Sequence, residues 1–185
     1  MQELSSKISK TLRALRKQRG WSLDKAAAET GVSKAMLGQI EREESSPTIS
    51  TLWKIASGFQ TSFSSFIEEP LAEHQSFIRR SEKVKSIHPK DDRIKVMTLF
   101  PFDADLKFEI FLIELSPGCE HLSPPHAKGV VEHVIAVKGK VEVFIQNRWQ
   151  KLSLHEGLKF EASKSHGYRN LSREKAQIHD IIHYP

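Results

Sequence analysis

The hydrophobic pattern changes its period once along the chain, and that switch limits the fold more than any other feature. From Leu4 to Phe66 the apolar residues recur at helical spacing, as in Leu4, Ile8, Leu12 and Leu15 and again in Ile49, Leu52, Ile55, Ala56 and Phe59. Gly20, Gly31, Pro47 and Gly58 punctuate this run, and Ser22, Ser33 and Thr48 stand where N-caps would open the next helix. Five short helices are expected, near 4–19, 22–29, 33–43, 48–58 and 63–68. After Glu69 the period is lost in a polar connector that holds Arg79, Arg80 and Pro89. From Ile94 onward, β-branched and aromatic runs over 94–100, 108–115, 130–137, 141–145, 149–154 and 177–183 read as strands. Turn signals at Ser116-Pro117-Gly118, Lys138-Gly139 and Gln146-Asn147 separate them. Many short strands at close spacing make a sandwich or a closed barrel. The chain of 185 residues, 38% of them hydrophobic, has apolar material for two small cores. The expected fold is α + β in two domains: a five-helix bundle over 1–69, a linker over 70–90 and an all-β domain over 91–185.

Charge is distributed unevenly between these parts. The net charge is only +5. Up to Arg42, however, nine Lys and Arg face four acids, and from Glu43 to Glu69 the sign reverses. A basic N-terminal region of this kind suits contact with a polyanion. The single cysteine, Cys119, excludes an intrachain disulfide and a cysteine-based zinc finger, and implies a reducing, cytoplasmic setting. No signal-peptide core and no apolar stretch approaching ~18 residues occurs, so no membrane association is expected.

The segment from Trp21 to Arg42 has the spacing of a helix-turn-helix. Ala26 and Ala27 permit close helix approach, Gly31 makes the turn, and Val32, Leu37 and Ile40 fix the second helix inward. The opposite face then carries Ser33, Lys34, Ala35, Gly38, Gln39 and Arg42, which is small, polar and basic as a major-groove helix must be. Together with Ser46-Pro47-Thr48 and Leu52, these residues resemble the lambda-repressor/Cro-type helix-turn-helix family over roughly residues 8–68. The resemblance implies that Lys34, Ala35 and Gln39 approach base edges of double-stranded DNA, with Ser33 and Arg42 nearer the phosphates. Gln39 could pair with adenine, Lys34 could donate to guanine, and Ala35 could touch a thymine methyl. One position departs from the family. Where members often carry Gln at the start of the preceding helix, this chain has Leu23.

In the second half, His126 and Glu132 followed by Ile135 and Gly139, then Gly157, His166 and Asn170, resemble the two motifs of the cupin superfamily over roughly 91–185. That resemblance implies a cupin barrel in which His126, Glu132 and His166 match three of four metal-ligand positions, with Lys128 at the fourth. Alternation puts His166, Tyr168 and Asn170 on one face of an extended segment, and Glu132, Val134 and Ala136 on one face of another, so that His133 points away. His121, His179 and His183 have no motif support. Two His and one carboxylate can hold one divalent Fe or Zn ion, and the same three residues can equally line a metal-free polar pocket. Lys128 disfavours a further cation and welcomes an anionic group, so Lys128, Tyr168 and Asn170 are the candidate contacts for an anionic, amino-acid-like effector.

Across the whole chain, Ser33 to Arg42, Thr51 to Ala56, Pro125-His126, Lys128-Gly129-Val130 and the ending Ile182-His183-Tyr184-Pro185 look similar to bacterial sulfur-utilization transcription regulators. The similarity implies an effector linked to sulfur supply, and an operator-binding homodimer is expected because one helix-turn-helix module reads only a half-site. A two-fold dimer would match half-sites ~34 Å apart. Ile135 and Val137, facing out of their strand, offer an apolar patch for such pairing. Two rivals share parts of this pattern: an iron-dependent phosphonate epoxidase class, which joins a similar helical domain to a cupin, and an antitoxin-like interaction module. The first would have lost its DNA face, whereas Lys34, Gln39 and Arg42 are present, and no general base stands apart from the metal candidates. The long β domain argues against the second.

Overall fold

The computed structural model describes residues 2–68, 86–87 and 93–185. Most of the linker expected at 70–90 lies outside the described residues. Four helices open the chain: α1 (Gln2–Gln18), α2 (Leu23–Thr30), α3 (Lys34–Glu41) and α4 (Ile49–Gly58). Their starts follow local capping chemistry. Ser22 Oγ accepts from the Lys25 amide at 3.1 Å, Ser33 Oγ from Met36 at 3.2 Å and Thr48 Oγ1 from Thr51 at 3.1 Å. Gly31 ends α2 at φ 64°, a left-handed conformation that favours glycine. The fifth helix expected at 63–68 is instead a single 3₁₀ turn, Ser64–Phe66. So short a segment cannot propagate a helix, and its leading amides are taken by a carboxylate from the β domain: Phe63 N and Ser64 N donate to Glu109 at 3.2 and 2.9 Å.

The β domain comprises β1 (Ser86–Ile87), β2 (Ile94–Asp103), β3 (Phe108–Leu115), β4 (Cys119–Ser123), β5 (Val131–Lys138), β6 (Val141–Ile145), β7 (Arg148–Leu152), β8 (Gly157–Glu161), β9 (His166–Asn170) and β10 (Ala176–His183). They form two antiparallel sheets, ordered β1-β2-β3-β10-β5-β8 and β4-β9-β6-β7. Alternating burial on β3, β5 and β10 directs one face of the larger sheet toward the interior. Gln146 and Asn147, at φ 50° and 62°, make the two-residue hairpin between β6 and β7. β2 runs past Phe100 through a buried Pro101, where the register with β3 shifts and no ladder amide is needed.

The two halves share one contiguous core. Phe63 meets Phe111 edge-on at 5.7 Å, the Phe102 amide donates to Ser64 Oγ at 2.8 Å, and the Phe63 amide donates to the Tyr184 hydroxyl oxygen at 3.3 Å. Inside the helical half, the end of α4 touches the end of α2 so closely that a Cβ on Gly58 would sit 2.6 Å from both the Glu29 carbonyl oxygen and the Thr30 Cα. Both obstacles are backbone and cannot rotate away. Gly58→Ala is therefore expected to lower stability by about 1–3 kcal/mol, read as a shifted urea midpoint at unchanged slope.

Candidate functional site

Helix α3 owes its orientation to what it buries. Leu37 and Ile40 are inaccessible, and Val32 is buried just before it. Ser33, Lys34, Ala35, Gln39 and Arg42 are all exposed. Gly38 corrects the expected face: it is buried, and a Cβ there would meet Arg42 Nη1 at 3.1 Å and Leu23 Cδ1 at 3.9 Å. The glycine thus lets the Arg42 side chain lie along the helix. Lys34 pairs with Asp24 at 2.9 Å and Arg42 forks onto Glu44 at 2.7 and 2.8 Å. Both pairs are solvent-exposed and worth little, so a phosphate could displace either acid. Met36, which the outer face was not expected to include, is also exposed.

Behind this face, Glu41 is buried and holds α3 to α1. Arg16 Nε and Nη2 donate to its two carboxylate oxygens at 2.6 and 2.7 Å, while Ser9 Oγ and Arg13 Nη2 donate to its carbonyl at 2.7 and 2.6 Å. Nothing in the helical spacing singled it out as the tether.

In the β domain, Glu132 of β5 and His166 of β9 come from facing sheets, and His126 enters from the loop before β5. Glu132 Oε1 lies 2.9 Å from His126 Nε2 and 3.2 Å from His166 Nε2. All three side chains are buried, and their ligand atoms lie within 4.8 Å of one another. Neither Glu132 Oε1 nor His166 Nε2 has a properly directed hydrogen bond. The surrounding contacts leave those two atoms free for an ion. His166 Nδ1 is engaged with the Lys164 carbonyl at 2.9 Å, which puts the ring proton there and the lone pair on Nε2. Tyr168 donates its hydroxyl to Glu132 Oε2, leaving Oε1 turned toward the imidazoles. Two donor atoms each ~2.1 Å from one ion stand roughly 3 Å apart, and the separations of Glu132 Oε1 from each imidazole nitrogen match that spacing, whereas the full 4.8 Å spread of the three atoms would have to narrow around an ion.

Burial works against charge on Glu132, yet the facing His166 and His126 outweigh it and hold the carboxyl far below the usual carboxylate range. Burial pushes His126 down, with Glu132 opposing. For His166 the attraction of Glu132 overcomes burial and raises the imidazole. Asp180 of β10, inward-facing among apolar neighbours, is driven well above the ordinary range by burial and then by Glu132 and Glu109. A lone acid at an inward position of an apolar strand was the signal that could have revealed it.

Of the expected effector contacts, Tyr168 stands beside the cluster and Lys128 is exposed at the mouth of the loop. Asn170 does not join them. Its amide donates to the Leu115 and Glu174 carbonyls at 3.0 and 2.7 Å and its oxygen accepts from Ser172, so its polar capacity is spent on the β9–β10 turn. His121, without motif support, borders the central cavity, while His179 is half-buried and His183 exposed. Trp53 of α4 was missed altogether: its ring stacks on His126 at 3.9 Å, so the helical half covers the cluster directly.

Residues 12–66 match the helix-turn-helix family HTH_3. The HTH-type transcriptional regulator SutR of Escherichia coli (strain K12) is 44% identical over 185 residues, covering 100% of this chain and 99% of that protein. The chain belongs to this family of helix-turn-helix transcriptional regulators. Over its full length it is also similar to the crystal structure of an HTH_3 family transcriptional regulator from Vibrio cholerae, 44% identical at a TM-score of 0.85, covering 100% of this chain and 98% of that one. Its β domain is similar to the Cupin_2 domain of an XRE family transcriptional regulator from Enterobacter cloacae, 42% identical at a TM-score of 0.50, covering 50% of this chain and 98% of that one. Fe(II) HppE, 14% identical at a TM-score of 0.51 and covering 96% of this chain and 98% of that one, shares the fold alone. Among the described residues no helix is long and apolar enough to cross a membrane.

Proposed function

We propose that this regulator reads a DNA operator with the outer face of α3 and adjusts its grip through a small effector sensed at the cupin domain. The observation that carries the first half is the exposed, capped helix whose outer face offers Lys34, Ala35, Gln39 and Arg42 at once, with both cations held only by displaceable surface acids. Gln39 and Lys34 supply base-edge contacts, and Ser33 and Arg42 supply phosphate contacts. A homodimer matches a two-fold operator, and the outward Ile135, 37% exposed, is a candidate for its interface.

His126, Glu132 and His166 would hold one divalent ion, Zn or Fe, through two imidazole nitrogens and a carboxylate oxygen. Such an ion supplies a Lewis-acidic point where an anionic group can attach. Tyr168 keeps Glu132 oriented, and the Lys164 carbonyl keeps His166 in the ligating tautomer.

The test is duplex selection from a randomised pool followed by anisotropy titration at several salt concentrations. Specific binding with a steep salt dependence is expected. Gln39→Ala should cost about 1–3 kcal/mol and relax the preference at one base pair, while His166→Ala leaves operator affinity intact. Absence of any selected sequence, or loss of operator binding in folded His166→Ala, would overturn this division of labour.

A further inference from the structure

We infer that the effector binds between the two domains, in the cleft under the C-terminal end of α4, and that it is a small organic anion bearing a carboxylate or sulfonate. The inference rests on the sensing role proposed above and moves its site. The cavity at the His126–Glu132–His166 cluster measures only about 20 Å³, room for an ion or a water but not for an organic molecule. Next to it lies a cavity of about 410 Å³, within the range of small-molecule sites. The stacked pair Trp53 and His126 borders both spaces and forms the partition between them.

The cleft has walls from both halves of the chain. On one side the end of α4 and the residues after it present Ser57, Gln60 and Thr61, whose side chains make no hydrogen bond among the described residues. On the other stands Lys128, whose ammonium makes no ion pair among the described residues. Among the described residues no Asp or Glu side chain lines the cleft, whose wall also includes Tyr184 and Pro185. One cation, three uncommitted polar side chains and the apolar surfaces of Trp53 and Val130 make a complementary setting for an anion with a short apolar or polar tail.

This location also supplies a route to DNA. A molecule bridging Lys128 and the end of α4 fixes that end relative to the barrel. The same end is in backbone contact with the end of α2 at Gly58, so α2 and the following α3 must move with it.

The experiment uses the full chain, isothermal titration with L-lactate, 3-mercaptopropionate and 2-hydroxyethanesulfonate up to about 10 mM, and operator anisotropy with and without each probe. Binding by at least one probe is expected, weakened about tenfold or more in Lys128→Met and in Ser57→Trp, with a changed operator affinity in wild type only. Lys128 is exposed, so its variant stays informative even if Ser57→Trp misfolds. Failure of all three probes to bind wild type overturns the proposal. Equally, undiminished binding in Lys128→Met that disappears in His166→Ala overturns it, placing the ligand inside the barrel while keeping a sensing cupin. Loss of operator binding in the unliganded wild type would instead count against the DNA-reading proposal.

Discussion

Glu41→Ala is expected to unfold the helical domain at denaturant concentrations where the wild type stays native, at a cost of about 3–5 kcal/mol. The Glu41 side chain is 7% exposed and the Arg16 side chain 17%, and the two meet in a forked, two-bond pair. Removing the carboxylate leaves a guanidinium half-enclosed with no opposing charge, and that desolvated cation is the source of the cost. The backbone acceptor survives the substitution, so Ser9 and Arg13 keep their bonds to residue 41. Since small domains hold only ~5–15 kcal/mol in total, the loss reaches function too, because α3 is fixed to α1 through this pair. Urea unfolding followed by circular dichroism reads the effect. The double variant Arg16→Met/Glu41→Leu should recover most of the loss, since apolar partners of similar size carry no stranded charge. A Glu41→Ala midpoint equal to wild type would mean that the tether contributes nothing.

What could be read from the sequence divides along the range of the interactions. Ser22, Ser33 and Thr48 were legible as caps because each bonds an amide three residues on, and Gly31 was legible because a left-handed residue must end α2. The inward parity of Glu132 with Val134 and Ala136 follows from the two-residue period of a strand, and all three are buried as that parity requires. The motif spacing brought out His126 and His166 as partners for Glu132, and the three meet. Contacts between distant segments were not legible. Nothing near Glu109 announces that it will accept from Phe63 and Ser64, and nothing near Trp53 announces His126. Strand β9 was legible as an extended segment from the alternation of His166, Tyr168 and Asn170, but the role of Gly167 within it was not: a Cβ there would lie 2.4 Å from the His121 carbonyl oxygen, so the close approach of β4 demands the glycine. Asn170 matched a motif but serves a turn, which shows that motif position fixes a side chain's face and leaves its partners undetermined.

Protein purified without chelators is expected to carry close to one equivalent of Zn or Fe, and the His126→Ala/His166→Ala variant to carry essentially none. The expectation follows from two buried atoms, Glu132 Oε1 and His166 Nε2, that converge without a directed hydrogen bond while their neighbouring atoms are occupied by Tyr168 and the Lys164 carbonyl. Protons compete for the same nitrogens. Burial resists charge on His166 but the Glu132 carboxylate overrides it, so His166 keeps its proton to higher pH than a free imidazole. Loading should therefore rise with pH and fall as pH drops through that raised value, because the ligating imidazole must be neutral. Glu132 remains ionised throughout this range and adds no dependence of its own. Deleting both imidazoles leaves Glu132 buried and unbalanced, so Glu132→Gln, which removes the charge while preserving shape, provides an independent check and should also lose the ion. Elemental mass spectrometry reads the metal, and circular dichroism establishes that each variant is folded. Equal metal in the wild type and both folded variants would mean that the ion binds elsewhere. Metal absent from all of them, even after incubation with Zn²⁺ or Fe²⁺ above neutral pH, would make the cluster a polar pocket closed by its own ion pairs.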